Sequence, residues 1–220
     1  MVSFRWMKTI SLDLRERILE AYDEGDGTRE EVGRRFRVPA RRSVLRLAAI
    51  ARKKGCLVSF DPNLRLALWR SRREAREVMG KMIGLSALLR MNREEAQFLT
   101  GQAEPGRAAR VLLRQGPRLV VITDGEHGSS AYSAKSSATV LGFAVTAVDT
   151  TGCGDAFLAG LLYEVLRLKD DPGRWSRETL VAVCRYANAV GALNSLKHGA
   201  SAAMPTGDEV KQFLASREDG

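Results

Sequence analysis

A glycine-rich turn ahead of an apolar helical segment is the stretch of this sequence best suited to chemistry. Residues 149–157 read DTTGCGDAF, and the residues that follow favour a helix. Gly152, Cys153 and Gly154 are therefore predicted to present free backbone N–H groups at a helix N-terminus, which attracts phosphate oxygens. Asp155 falls in the first turn, where its carboxylate can take the proton of a hydroxyl that attacks a phosphoryl group. A bare GxGD pattern more often marks only an acidic residue that starts a helix after a glycine turn.

The longer match favours phosphoryl transfer. DTTGCGDAF resembles the C-terminal signature of the PfkB, or ribokinase-like, carbohydrate kinases, usually written DTTGAGDAF. The one difference is Cys153, at a position that contributes backbone atoms. The resemblance implies that Asp155 is the catalytic base and that the loop from Gly152 to Gly154 stabilises charge developing on the γ-phosphoryl group of ATP. Further motifs of this family occur in the expected order between about residues 42 and 215.

The acceptor side of the site is predicted from a second stretch. The apolar, β-prone run from Cys56 to Phe60 ends in polar residues, and the carboxyl ends of strands are where open α/β sheets place ligands. The string SFDPNLRLALW resembles the fructokinase and 2-keto-3-deoxygluconate kinase branch of the family. It implies that Asp61, Asn63 and Arg65 line the acceptor side, with Arg65 contacting the transferring phosphoryl group. The alternative is a Pro-Asn turn with a surface arginine.

Two motifs imply contacts with the nucleotide. MNREEAQFLTG contains the family's NxxE pattern, so that Asn92 and Glu95 would act through water on Mg²⁺ and the phosphates of ATP. By themselves these two residues are typical of a helix cap. TDGEHG resembles the loop that holds nucleotide phosphate and ribose, and Thr123, Gly125 and Gly128 match it by position.

The C-terminal part resembles the remaining family segments. Asn188 lies in ANAVGAL, which flanks the adenine ring in the family, and Gly199 lies in a KxGA segment that borders the nucleotide. Asp149 and Thr151 match one side of a monovalent cation site, which implies K⁺ as a further ion. These assignments come from the resemblance alone.

The predicted elements alternate between buried strands and amphipathic helices, which indicates an α/β fold. The resemblance implies part of a ribokinase-like three-layer α/β/α domain that lacks its N-terminal strands and lid and follows a short helical appendage. Such a sheet would expose an edge, and self-association through that edge is expected. Predicted helices cover 71–85, 107–115 and 177–196, and predicted strands cover 56–60, 87–89, 119–122, 129–133 and 139–148.

The first forty residues show none of the motifs of the kinase family. Residues 7–39 resemble the N-terminal helix-turn-helix of insertion-sequence transposases, with two short helices, the second of which ends at Pro39. An amphipathic helix is predicted from Arg41 onward. We therefore expect a transposase-like fragment at 1–40, joined to the C-terminal part of a sugar kinase at 41–220, in a truncated chain with much of its acceptor site absent.

Composition limits the other function classes. The 220 residues carry a net charge of +9, and residues 1–54 hold 14 Lys and Arg against 8 Asp and Glu. No apolar run approaches a membrane span, and three widely spaced cysteines suit a reducing cytoplasm. The prediction is ATP-dependent phosphorylation of a sugar hydroxyl, with no membrane partner and no specific DNA binding. The alternatives are a non-catalytic fusion remnant and a weak DNA binder that uses the basic front.

Overall fold

The computed structural model describes the backbone of residues 29–217 and the side chains from residue 41 onward. Within this part, the chain forms seven α-helices and five β-strands. The helices are α1 Arg29–Lys53, α2 Arg72–Leu85, α3 Arg93–Thr100, α4 Pro105–Leu113, α5 Cys153–Leu168, α6 Arg177–Asn194 and α7 Gly207–Ala215. The strands are β1 Ser59–Phe60, β2 Leu88–Asn92, β3 Leu119–Thr123, β4 Ser129–Ser133 and β5 Ser137–Val140.

The five strands form one mixed sheet in the order β1-β2-β3-β4-β5. Strands β1, β2 and β3 are parallel, whereas β4 and β5 add in antiparallel fashion. Arg90 of β2 is opposite Val121 of β3, and Asn92 is opposite Thr123. The carboxyl ends of the three parallel strands therefore meet at one edge of the sheet, where ligands bind in open α/β folds.

Helices cover both faces of the sheet, which gives the predicted α/β/α layering. One face packs against α5 and α6 through Leu88, Leu119, Val121, Phe157, Leu161, Leu180 and Val183. The other packs against α2, α3 and α4 through Ile83, Leu89, Met91, Ala96, Ala109, Leu112 and Ile122. All five residues of β3 are buried, as expected for a central strand covered on both faces.

Local sequence signals explain where several helices begin. The Ser71 hydroxyl caps α2 by accepting a hydrogen bond from the Glu74 N–H at 3.1 Å. Met79, Met82 and Ile83 form the buried side of that helix, as predicted. None of the helices in the described part of the chain combines the length and the apolar composition needed to cross a membrane.

Helix α1 corrects the predicted break at Pro39. The backbone is helical without interruption from Arg29 to Lys53, so the prediction of two helices separated after Pro39 was wrong. A proline removes one helical hydrogen bond, but its fixed φ is compatible with a helix that is supported elsewhere. That support comes from the second half of α1, where Ala48 is buried against Val58 and Met82.

Two predicted strands are shorter than expected. The strand predicted at 56–60 is reduced to β1, and the strand predicted at 139–148 ends at Val140. Beyond Val140 the chain bonds to α6 and to the residue after it: the Val148 N–H donates to the Ser195 carbonyl at 2.7 Å. The Leu141 carbonyl accepts a hydrogen bond from Asn188 Nδ2 of α6 at 3.2 Å, so both ends of residues 141–148 are bonded outside the sheet and the predicted alternation does not produce a strand there.

The front of the chain is described only in part. Residues 1–28 lie outside the described residues, and with them most of the predicted transposase-like fragment at 7–39. Helix α1 crosses the predicted boundary between residues 40 and 41, and the two-domain division stays a prediction. At the β1 edge of the sheet, α1 exposes Val44, Leu47 and Ile50. The predicted self-association through this edge also stays a prediction.

Candidate active site

A cleft of about 740 Å³ opens at the carboxyl ends of the parallel strands. Its walls come from the segment after β1, the end of β2, the start of α3 and the turn before α5. This cleft brings together eight residues from three separate sequence motifs: Asp61, Asn63, Arg65, Asn92, Glu95, Gly152, Gly154 and Asp155. The parallel topology therefore places the predicted acceptor residues beside the predicted phosphoryl-transfer turn.

The turn before α5 has the backbone conformation that its glycines suggest. Gly152 is the N-cap with a φ of 78°, a left-handed conformation that favours glycine. A Cβ at this position would lie 2.5 Å from the Cβ of Ala200, so the space also requires glycine. The prediction of three free N–H groups was wrong for Cys153, whose N–H donates to the Thr150 carbonyl at 3.2 Å. Gly154 and Asp155 lie in the first turn, where helical N–H groups have no intrahelical partner.

Asp155 stands on the first turn of α5 with an exposed side chain that lines the cleft. The helix is fixed beneath it by Phe157 and Leu161, which are buried against the sheet. A carboxylate on a rigid helix at the mouth of an anion-binding turn can accept a proton from a bound hydroxyl. The position fits the base predicted from the sequence.

Asn92 and Glu95 form a complete capping box at the start of α3. The Glu95 N–H donates to Asn92 Oδ1 at 2.8 Å, and the Asn92 N–H donates to Glu95 Oε2 at 3.0 Å. The second Glu95 oxygen accepts a hydrogen bond from the Leu64 N–H at 2.6 Å. Glu95 therefore also anchors the loop that carries Asn63 and Arg65. Both oxygens of this buried carboxylate bind backbone, which is compatible with reaching a metal ion only through water.

Arg90 is a cleft residue to which the sequence analysis gave no role. Its Nη1 donates to Asp61 Oδ2 at 2.8 Å and its Nη2 donates to Thr123 Oγ1 at 2.8 Å. The side chain is only 12% exposed, and its Cζ lies 5.7 Å from the centre of the Phe157 ring. Burial raises the pKa of Asp61, and the Arg90 guanidinium opposes that rise. The missed signal was a single arginine within the otherwise apolar run from Leu88 to Met91.

Four of the residues predicted to hold the nucleotide do not line this cleft: Thr123, Gly125, Gly128 and Asn188. Thr123 ends β3, and its hydroxyl oxygen accepts a hydrogen bond from Arg90 Nη2. Gly125 and Gly128 both have positive φ, and a side chain at Gly128 would collide with the backbone of Val140. The buried Asn188 donates from Nδ2 to the carbonyls of Val140 and Leu141 at 3.3 and 3.2 Å. The predicted roles of these four residues with a nucleotide stay predictions.

Asp149, Thr151 and Gly199 meet behind the turn. The Gly199 N–H donates to Asp149 Oδ2 at 3.0 Å, and the Thr151 N–H donates to Oδ1 at 2.9 Å. Together with a hydrogen bond from the Thr151 side chain, they lower the pKa of Asp149 to about 2, so its carboxylate is ionised at neutral pH. The Asn194 Nδ2 donates to the Thr151 carbonyl at 3.2 Å, while its buried Oδ1 has no hydrogen-bond partner among the described residues. Carboxylate and amide oxygens are ligand types that hard cations accept, and Asp149 and Asn194 both contact Thr151.

Comparison with known proteins agrees with this arrangement. A family model described as "pfkB family carbohydrate kinase" matches residues 34–207. Fructokinase-1 of Zea mays is 37% identical over 177 residues, which cover 80% of this chain and 54% of that protein. Probable fructokinase-4 of Arabidopsis thaliana is also 37% identical and is covered to the same extent. The chain thus spans about half the length of the relatives it matches.

Solved structures show the same fold. Fructokinase from Vibrio cholerae O395, with fructose, ADP and a calcium ion bound, has a TM-score of 0.73 and is 34% identical to this chain. Fructokinase from Xylella fastidiosa, with ATP bound, has a TM-score of 0.74 at 29% identity. These comparisons cover 80% and 81% of this chain and 56% and 57% of those chains. The residues described here form a ribokinase-like α/β fold, and the chain belongs to the PfkB family of carbohydrate kinases.

Proposed function

We propose that this chain carries the phosphoryl-transfer part of a sugar kinase site, which uses ATP to phosphorylate a hydroxyl of fructose or of a related keto sugar. The observation that carries the proposal is the position of Asp155, on the first turn after a glycine N-cap, in the same cleft as Asp61, Asn63 and Arg65. The named relatives are fructokinases, and FDPNLR matches that branch.

Each part of the cleft has a distinct task in this proposal. Asp155 accepts the proton of the sugar hydroxyl as that hydroxyl attacks the γ-phosphoryl group. The first-turn N–H groups of α5 and the Arg65 guanidinium face the charge that develops on the transferring group. Asp61 and Asn63 hold the sugar on the acceptor side. The matched part covers about half of each relative. We therefore propose binding of the nucleotide phosphates first, and turnover of a sugar as a separate, second activity.

Mg²⁺ fits the residues at the end of β2. Asn92 and Glu95 would hold it through water, and the ion would supply neutralising charge between the phosphates. Glu95 fits this indirect role because its oxygens already accept hydrogen bonds from the N–H groups of Asn92 and Leu64. A monovalent cation, K⁺ in our proposal, would be held near Asp149, Thr151 and the unpaired Asn194 Oδ1.

Nucleotide binding is the first test. We would record thermal unfolding with and without MgADP for the parent chain and for Gly154→Asp, which places a negative charge in the anion-binding turn. The matched control is Gly207→Asp, at the start of α7, where an added side chain meets open space. We expect MgADP to raise the Tm of the parent and of the control but not of Gly154→Asp. A parent transition that does not respond to MgADP would refute the nucleotide site.

Turnover is the second test. ADP release is followed with a panel of sugars, with fructose first. We expect Asp155→Asn to lower kcat by roughly 10²- to 10⁴-fold, as is typical for loss of a general base, while the response to MgADP is kept. If no sugar in the panel supports ADP release by the parent, residues 1–220 by themselves are a nucleotide-binding unit and not a kinase.

A further inference from the structure

The Arg90 guanidinium is held from two sides. Asp61 follows β1, Thr123 ends β3, and Arg90 lies between them on β2, so two hydrogen bonds of 2.8 Å each connect the ends of three parallel strands. The side chains of Arg90 and Asp61 are 12% and 14% exposed. A charge pair this well shielded from water, with a second partner on the arginine, has one preferred geometry. The guanidinium is therefore a fixed group and not a mobile surface cation.

The same guanidinium lies directly against the phosphoryl-transfer turn. A Cβ added to Gly154 would lie 2.8 Å from Nη1, 3.0 Å from Nη2 and 3.2 Å from Cζ of Arg90. Gly154 does not have a positive φ, in contrast to Gly152, whose φ is 78°. The backbone conformation alone would thus accept alanine at position 154. The obstacle to a side chain there is the Arg90 guanidinium, which would have to move away from its partners Asp61 and Thr123.

The charge of Arg90 also adds to the positive electrostatic potential at the first turn of α5. The first turn of α5 already carries the positive end of the helix dipole, and the guanidinium adds a full positive charge beside it. The Asp61 carboxylate, 2.8 Å from Nη1, balances part of that charge. An anion at the turn is attracted by both, whereas an uncharged ligand gains little from either.

From this geometry we infer that Arg90 is a positioning residue for the phosphate site: its guanidinium sets how closely the turn at Gly154 approaches the sheet, and its charge favours an anionic group at that turn. The phosphate part of this inference rests on the nucleotide site proposed above. The positioning part concerns only contacts within the chain. Two experiments separate them.

The first experiment measures coupling between positions 90 and 154 in the ligand-free protein. Gly154→Ala is placed in the parent and in Arg90→Leu, which lacks the guanidinium that would contact the added Cβ. We expect Gly154→Ala to lower the Tm by about 3 °C in the parent and by less than about 1 °C in Arg90→Leu. Gly152→Ala is the matched control, and its loss is expected to be equal in both backgrounds because Ala200 and the positive φ oppose it.

If Gly154→Ala lowers the Tm equally in the parent and in Arg90→Leu, Arg90 does not have the positioning role. If Arg90→Leu does not fold, Arg90→Lys replaces it. Lysine keeps the charge but cannot bridge Asp61 and Thr123 as a planar fork does, so it should also reduce the loss caused by Gly154→Ala.

The second experiment compares two ligands that differ in their phosphates, MgADP and adenosine. We expect Arg90→Gln to weaken MgADP binding by about tenfold and adenosine binding by less than about twofold, because only the first ligand places charge near position 90. Arg90→Lys should restore part of the MgADP affinity. Equal weakening of both ligands, or of neither, would overturn the phosphate role. If the parent binds no MgADP, the proposed nucleotide site fails, and the coupling experiment alone decides the inference on Arg90.

Discussion

The N–H of Gly199 donates to Oδ2 of Asp149 across 3.0 Å, although fifty residues separate the two in sequence. The bond joins the segment before α5 to the turn after α6. Because Asp149 comes just before the glycine turn at the start of α5, the segment that carries Gly199 helps to fix where that turn starts. One hydrogen bond thus connects the end of the domain to its candidate catalytic loop.

Asp149 should make stability depend on pH in acid. Its pKa of about 2 in the folded chain is below the value of about 3.9 for a free aspartate. The ionised carboxylate therefore stabilises the fold above about pH 4, and this contribution is lost as the pH falls toward 2. We expect the Tm of the parent to exceed that of Asp149→Asn at pH 5 and the gap to narrow steadily as the pH falls toward 2. Glu209 also has a pKa of about 2, but it is present in both proteins and cancels. A gap that does not change with pH would contradict the prediction.

The buried side of α5 should control the stability of the domain. Leu161 is completely buried between α5 and the sheet, so Leu161→Ala is expected to lower the free energy of unfolding by roughly 2–5 kcal/mol. Leu166→Ala is the matched control on the same helix, because Leu166 is 68% exposed and its loss should cost less than about 0.5 kcal/mol. Urea unfolding of both variants measures the difference. Similar losses would mean that α5 is not packed as described.

We expect the Asn188 side chain to stabilise the fold, independently of any contact with a nucleotide. Its amide donates to two carbonyls at the end of β5, so Asn188→Asp would place a carboxylate against two acceptors in a buried position. We expect a loss of roughly 3 kcal/mol in unfolding free energy, larger than the loss for Asn188→Ala. Urea unfolding without nucleotide is the measurement. If both variants are as stable as the parent but neither responds to MgADP, the nucleotide role is the correct one.

Two substitutions of Asn92 distinguish its role as a helix cap from its proposed role with Mg²⁺. Asn92→Ala removes the cap of α3 and should cost about 1 kcal/mol, whereas Asn92→Ser keeps a capping oxygen and should cost much less. If Asn92 also acts on Mg²⁺ through water, Asn92→Ser should lower the Mg²⁺ dependence of ADP binding despite normal stability. Titration of ADP at several Mg²⁺ concentrations tests this. An unchanged Mg²⁺ dependence would leave Asn92 as a helix cap alone.

The proposed cation site predicts a specific salt effect. We expect KCl to raise the Tm more than N-methylglucamine chloride does at equal ionic strength. The extra rise should disappear in Asn194→Leu, which removes the unpaired Oδ1 while keeping similar volume. The same rise in both salts would argue against a site for K⁺ at this position.

Much of the fold and of the site follows from local sequence signals. Ser71 and Asn92 cap the helices that follow them, and the run from Leu119 to Ile122 forms the central strand. The predicted residues of the cleft converge because parallel strands end at the same edge. The family motifs placed Asp155 at the start of its helix, as the structure has it.

The errors have physical causes that a linear pattern does not contain. Pro39 predicts a helix end, but packing of the later part of α1 on α2 and β1 supports one continuous helix. The segment after Val140 alternates like a strand, yet its backbone bonds to α6 and to Ser195. Arg90 was overlooked because its meaning depends on Asp61 and Thr123, which are 29 and 33 residues away.

The sequential strand order has a consequence for how the domain folds. Each strand pairs with its immediate neighbour along the chain, but the parallel pairs β1–β2 and β2–β3 each enclose a crossover segment that contains one or two helices. The antiparallel pairs β3–β4 and β4–β5 join residues close in sequence and should form early, whereas the parallel pairs must first lose the entropy of closing their crossover segments. A nascent chain could therefore add strands to the sheet as they leave the ribosome. The helix that carries Asp155 follows all five strands in the chain and would dock, before α6 and α7, onto a sheet that is already assembled.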